Sequence, residues 1–77
     1  MEREGRVVRL PEGKQFGFVQ NPDGQDVFFH RDDFNGHWND LLKDFRKGII
    51  INVSFDENRA AKGLRATEVR RLDHPNV

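Results

Sequence analysis

The sequence Lys14-Gln15-Phe16-Gly17-Phe18-Val19, followed eight residues later by Val27-Phe28-Phe29-His30, decides which way two strands face. Successive side chains of a β-strand point to opposite faces, so every second residue shares a face. The predicted core set is Val19, Val27 and Phe29. The predicted outward set is then Phe16, Phe18, Phe28 and His30.

Rings that point outwards do not pack in the core, and these rings lie close in sequence to Lys14 and Arg31. Exposed rings beside cations suit a surface that stacks unpaired bases and attracts their phosphates. The alternative is a pair of strands buried on both faces. A chain of 77 residues that is 35% hydrophobic is too small to supply two buried layers, which favours the outward interpretation.

The composition narrows the class of protein. Thirteen basic and thirteen acidic residues give a formal net charge of zero, so the chain does not attract a duplex by bulk positive charge. No cysteine is present for disulfides or thiolate metal sites, and no apolar run approaches the roughly 20 residues that span a bilayer. The start, Met1 to Glu4, lacks the apolar stretch of a secretory signal. We therefore expect a cytoplasmic protein with no membrane role.

Local patterns predict five short strands. They cover residues 5–10, 15–20, 26–30, 49–56 and 64–72. A turn at Asn21-Pro22-Asp23-Gly24 joins the second strand to the third, with proline presetting the backbone and glycine taking the left-handed conformation. In the fourth strand Ile49, Ile51, Val53 and Phe55 are expected to face the core, and residues 57–63 are expected to form a polar loop.

Three further features complete this pattern. Leu41, Leu42 and Phe45 at helical spacing predict a short helix capped by Asn39 or Asp40. In the last strand, Leu64, Ala66, Val69 and Leu72 are expected to face inwards, and the slip in alternation between Ala66 and Val69 indicates a bulge. Residues 73–77, which include Pro75, are expected to form a frayed tail.

Five short strands with a long connection between the third and fourth predict an all-β fold. We expect a five-stranded antiparallel Greek-key barrel of the OB type, formed as a single domain by residues 1–72. An SH3-like barrel is the alternative on geometry alone.

The two aromatic motifs also resemble those of a known family. Lys14 to Val19 is similar to the first ribonucleoprotein motif of the cold shock domain, K-G-F-G-F-I, and Val27 to His30 is similar to the second, V-F-V-H. Gly63, Ala66 and Val69 match the G-x-x-A-x-x-V of the family's fifth strand. The resemblance covers about residues 5–72, nearly the whole chain.

This resemblance implies a barrel that binds single-stranded RNA or DNA and is not an enzyme. Members act as RNA chaperones or as regulators of transcription or translation, so we expect a pyrimidine-rich strand as partner, a monomer, and no cofactor or metal. Carried over by position, the stacking residues are Phe16, Phe18, Phe28 and His30. Lys14 would meet a backbone phosphate, and Asp26 would accept a hydrogen bond from a base at the edge of this surface.

The chain departs from the family pattern in its first strand and after its histidine. Val8-Arg9-Leu10 stands where the family carries Lys-Trp-Phe, and Arg31 stands where it carries a phenylalanine. Both guanidinium groups can still stack on a base. Since each neutralised phosphate releases counterions, we expect a steeper salt dependence than that of a typical member.

Two regions leave alternatives open. The connection after His30 is longer than usual, and Trp38 in it either stacks on a base or packs as a lid on Leu41 or Leu42. Lys62 and Arg65, near the start of the last strand, are either phosphate contacts or solvated loop charges.

Two other functions, a metal or hydrolytic centre and a protein-docking surface, are alternatives to nucleic-acid binding. His30, Asp32, Asp33 and His37 offer ligands for a metal or hydrolytic centre, although consecutive aspartates fit a turn or cap after the strand more simply. The aromatic face could instead dock onto a partner protein, because the net charge is neutral and the first strand has lost its ring.

Overall fold

Five short strands follow one another along the chain, and the connection between the third and the fourth is helical. A computed structural model describes residues 1–72, so the expected tail at 73–77 lies outside the described residues. The strands are β1 (Glu2–Arg9), β2 (Phe16–Gln20), β3 (Asp26–His30), β4 (Asn52–Ala60) and β5 (Gly63–Arg71). A single 3₁₀ turn (Arg31–Asp33) and one helix, α1 (Trp38–Arg46), connect β3 to β4.

The strands close into a barrel in the order β1-β2-β3-β5-β4, with β4 pairing back onto β1. Neighbouring strands are antiparallel apart from β3 and β5, which run parallel where Phe28 meets Arg65. This confirms the five-stranded OB-type barrel with its long connection between the third and fourth strands. Closure pairs the edges that a small open sheet would leave exposed.

Inward-facing strand residues and four residues of the β3–β4 connection fill the barrel core. The buried apolar residues are Val7, Val19, Val27, Phe29, Phe34, Trp38, Leu41, Ile51, Val53, Phe55, Ala66 and Val69. The predicted core set of β2 and β3 is confirmed, because Val19, Val27 and Phe29 are each 0% exposed.

The β2–β3 turn forms as predicted and is organised by Asn21. Gly24 takes φ 82°, and its N–H donates to the Asn21 carbonyl at 2.9 Å. The Asn21 side chain is buried, accepts from the N–H groups of Asp23 and Gln25 at 3.0 and 2.9 Å, and donates to Glu57 at 2.9 Å. A buried amide with these partners satisfied ties the turn to β4.

Two bulges shift the alternation. In β1, Val7 pairs with Val19 but Arg9 pairs with Phe18, so Val8 and Arg9 together oppose one residue. In β5, two residues oppose one residue of β4, and Glu68 there has φ 51°. The second bulge confirms the slip seen between Ala66 and Val69.

The boundaries of the last two strands differ from the prediction. β4 begins at Asn52 and runs to Ala60, so the expected polar loop at 57–63 is wrong, and only Ala61 and Lys62 separate it from β5. Ile49 precedes the strand and is 45% exposed, and Leu72 is 49% exposed, so neither fills the core. The reason is that β1 pairs with β4 only from Asn52 to Asp56, whereas pairing with β5 continues to Ala60 and extends the strand past the alternating segment.

The predicted helix is present but starts earlier than expected. Its N-cap is His37, not Asn39 or Asp40, and no side chain caps it. Leu41 is buried, and Arg71 of β5 holds the helix in place by donating from Nη1 to Asp44 at 2.7 Å. Within residues 1–72, no helix is both long and apolar enough to cross a membrane.

Candidate nucleic-acid interface

Three phenylalanine rings form a cluster on the outer face of β2 and β3. The ring centroids of Phe16 and Phe28 are 5.5 Å apart, those of Phe18 and Phe28 are 5.9 Å apart, and those of Phe16 and Phe18 are 6.1 Å apart. All three side chains are partly exposed. We call these residues, together with His30, the aromatic face.

The register of the two strands assembles this face. Phe18 lies opposite Phe28, and Phe16 lies opposite His30. The intervening Gly17 is buried, and a Cβ there would come within 2.7 Å of the Arg9 carbonyl oxygen. Glycine therefore lets β1 approach β2 closely beneath the rings.

His30 sits at the end of the face where β3 enters the 3₁₀ turn. Its side chain is 40% exposed, and Nδ1 accepts from the Asp32 N–H at 3.0 Å. With Nδ1 as the acceptor, Nε2 is the ring nitrogen that carries the proton. His30 can thus present both a ring surface and an N–H donor.

Arg9 joins the face because of the β1 bulge. Regular alternation from the buried Val7 would turn Arg9 inwards, but the extra residue places it opposite Phe18. Its Cζ lies 4.9 Å from the Phe18 ring centroid, in cation–π contact. Arg9 therefore occupies a position beside the rings, as its replacement of a family aromatic implied.

Further charged groups lie around the rings. Lys14 is exposed in the β1–β2 connection, Arg31 is exposed after His30, and Asp26 is exposed at the start of β3. Lys62, in the β4–β5 turn, lines an open groove together with Phe18 and Phe28. We call Arg9, Lys14, Arg31 and Lys62 the rim cations, because each is exposed and either contacts a ring, lines the groove beside the rings, or lies close in sequence to a strand that carries them. They offer local positive charge that the neutral net charge of the chain does not reveal.

Arg65 borders the same groove but is held by a carboxylate. Its Nε and Nη2 donate to Asp33 at 3.3 and 3.1 Å, and Asp33 also accepts from the His30 N–H at 2.9 Å. The sequence predicted Asp33 as a turn or cap residue, with a metal ligand as the alternative, and did not predict its pairing with Arg65. No local signal could reveal this pairing, because its partners lie 32 residues apart.

Trp38 does not lie on the aromatic face. It is 5% exposed and packs edge-on against Phe29 and Phe34, with centroid distances of 5.9 and 6.2 Å. The indole is packed, as in the second alternative, but the ring contacts are with Phe29 and Phe34, whereas the prediction named Leu41 or Leu42. Its burial corrects the prediction that Trp38 belongs among the binding residues. The physical reason is that α1 packs on the hydrophobic core through Trp38 and Leu41.

Of the two carboxylates after β3, that of Asp33 acts as a cap. The side chain of Asp33 and that of His30 form a reciprocal capping arrangement around the 3₁₀ turn. Across residues 1–72, no group of three or more potential ligands is placed to hold a metal ion.

Comparison with known proteins places this geometry in a family. The 'Cold-shock' DNA-binding domain matches residues 3–72. The cold shock protein CspC of Bacillus subtilis is 34% identical over 68 residues, which cover 88% of this chain and 96% of that protein. The cold shock-like protein CspC of Bacillus cereus is 36% identical over 69 residues, which cover 90% of this chain and 98% of that protein. The chain therefore belongs to the cold shock domain family, whose members bind nucleic acid and are not enzymes.

Proposed function

We propose that this protein binds unpaired RNA or DNA by stacking bases on the aromatic face. The observation that carries the proposal is the sidedness of β3, where Phe29 is 0% exposed while Phe28 next to it is partly exposed and touches two other rings. Every base has a flat π surface, so such a platform binds with little dependence on sequence.

Stacking and charge contribute differently to this binding. Each stacked base contributes about 1 to 3 kcal/mol, largely independent of salt. The four rim cations, Arg9, Lys14, Arg31 and Lys62, would neutralise phosphates and release counterions. For four phosphate contacts on a single strand, log K should fall with log salt at a slope of about −2 to −3.

The cellular role that follows is that of an RNA chaperone or of a regulator of transcription or translation. A protein that holds unpaired bases on a platform opposes the re-pairing of that strand without consuming any substrate. We take the ligand to be a pyrimidine-rich strand and the protein to be a cytoplasmic monomer.

Fluorescence anisotropy of labelled heptamers tests the proposal. Oligo-U and oligo-dT should bind, and the same strands annealed to their complements should bind at least tenfold more weakly, because paired bases cannot lie on the rings. Equal affinity for single strand and duplex, or a salt slope near zero, would contradict the proposal. Trp38 is unsuited as a binding reporter because it is buried, although it reports folding.

The protein-interaction alternative makes a different prediction. If the aromatic face docks onto another protein, neither heptamer binds, while replacement of Phe18 or Phe28 still weakens capture of that partner. Lys62 lines the groove with Phe18 and Phe28 and forms no ion pair within residues 1–72, which favours the nucleic-acid assignment over this one.

A further inference from the structure

Arg65 differs from the other cations around the aromatic face because a carboxylate holds it in a fixed orientation. Two neighbouring donors of one guanidinium, Nε and Nη2, both reach Asp33, the second of them bonding Oδ2 at 3.1 Å and Oδ1 at 3.4 Å. Two donors of the guanidinium that contact one carboxylate restrict its orientation more than a single hydrogen bond would. Among the ion pairs of residues 1–72, none involves Arg9, Lys14, Arg31 or Lys62.

The carboxylate end of the pair is rigid, and the guanidinium end is open to solvent. The Asp33 side chain is 12% exposed and is tied to the His30 backbone N–H, whereas the Arg65 side chain is 47% exposed. The anchored carboxylate of Asp33 therefore sets the orientation of the more exposed Arg65 guanidinium.

Arg65 lies beside Phe28 of the aromatic face. The parallel bridge sets the Cα of Arg65 beside that of Phe28, and both residues line the groove at the β4–β5 turn. Because the N–H bonds of a guanidinium lie in its plane, bonds to Asp33 leave its flat surface free to stack.

We propose that Asp33 is a positioning residue that holds Arg65 as a flat, charge-compensated platform beside Phe28, so that Arg65 stacks against a base and makes no phosphate contact. This inference rests on the proposed function. It resolves the alternatives for Arg65 differently from either sequence interpretation, since the side chain is neither a free phosphate contact nor a solvated loop charge.

Salt dependence separates stacking from phosphate contact. We would measure the Kd of a fluorescein-labelled oligo-dT heptamer over a salt series for the wild type, Arg65→Gln and Asp33→Asn. Arg65→Gln should raise Kd about 2- to 5-fold at every salt concentration, the loss expected for an exposed cation–π or stacking contact, with the slope unchanged. Asp33→Asn should steepen the slope by about 0.7, because the freed guanidinium can then neutralise one phosphate of a single strand.

A neighbouring carboxylate provides the matched control. Asp32→Asn removes the same charge one position away, where the side chain is 88% exposed and makes no bond to Arg65. It should leave the slope unchanged. Asparagine at position 33 keeps an oxygen for the His30 N–H, and Trp38 fluorescence on heating checks that each variant is folded.

Specific results would overturn the inference. A slope that flattens by about 0.7 in Arg65→Gln would make Arg65 a phosphate contact. An unchanged Kd in Arg65→Gln would remove it from the interface, and equal slopes for Asp33→Asn and Asp32→Asn would reduce the effect to bulk charge. If the wild type itself fails to bind, the proposed function is wrong as well, whereas wild-type binding combined with any of these results overturns only the role of Asp33 and Arg65.

Discussion

Phe28 and Phe29 are neighbours in sequence with opposite surroundings, and replacing each by leucine separates binding from folding. Phe28 is partly exposed and lies 5.5 and 5.9 Å from two other rings of the aromatic face. Phe29 is 0% exposed and packs on Trp38 at 5.9 Å. Leucine keeps an apolar side chain of similar size at both positions and removes only the flat ring.

Phe28→Leu should lose the stacking of one base. That loss is about 1 to 3 kcal/mol, which is roughly a 5- to 160-fold increase in Kd for an oligo-dT heptamer. The free energy of unfolding should change by less than about 1.5 kcal/mol, because the volume is nearly conserved at a partly exposed site.

Phe29→Leu should do the opposite. It removes the edge contact with Trp38 and forces repacking of a sealed site, at a cost of about 1 to 3 kcal/mol in unfolding free energy. The Kd of the folded protein should stay within about twofold of the wild type, since Phe29 does not reach the surface.

Urea denaturation followed by Trp38 fluorescence gives the stability, and anisotropy gives the affinity. If Phe28→Leu stays folded and binds within twofold of the wild type, the Phe28 ring does not stack on a base. If Phe29→Leu weakens binding while fully folded, the outward direction of a β3 side chain does not decide whether it takes part in binding.

Three further outcomes are expected. Arg9→Phe should bind a single strand more tightly at high salt, because a ring beside Phe18 adds stacking, and its slope of log K against log salt should be flatter by about 0.7, because one phosphate contact is lost. Arg9→Gln should flatten that slope without the gain in affinity. An unchanged slope in both variants would exclude Arg9 from phosphate binding. Asn21→Ala should lower the free energy of unfolding, measured by urea denaturation, by about 1 to 3 kcal/mol, because it leaves the turn N–H groups without their acceptor. A loss below about 0.5 kcal/mol would show that water replaces the amide. The pKa of Asp56 lies below its ordinary value because the Met1 ammonium, and then Asn58, hydrogen-bond to it. Its contribution to stability is therefore present above about pH 4, the unfolded-state pKa, and is lost as the pH falls through the lower folded-state pKa. The melting temperatures of Asp56→Asn and wild type should converge as the pH falls over this range, and a constant difference would contradict this.

The turn and the inner strands were predictable because their signals are local. The proline and glycine of residues 21–24 specify a turn whatever surrounds them, and the structure shows Gly24 at φ 82°. The slip between Ala66 and Val69 likewise indicated the β5 bulge that Glu68 forms.

Other features depended on contacts that no local pattern encodes. Ile49 continues the alternation of Val53 and Phe55, yet it lies outside β4 and is 45% exposed, because pairing with β1 begins only at Asn52. Trp38 is buried because α1 packs onto the barrel, and the sequence could not decide between that position and an exposed one.

The sequence by itself determined which side of β2 and β3 carries the rings, because the alternation of Cβ atoms along a strand is a property of the backbone and needs no partner. Only the tertiary structure decided that Arg9 turns outwards onto Phe18 and that Asp33 holds Arg65. The first depends on a bulge that forms when β1 pairs with β2, and the second depends on closure of the barrel, which brings β5 beside the end of β3. Both arrangements depend on pairing between strands, which the local periodicity of the sequence does not predict.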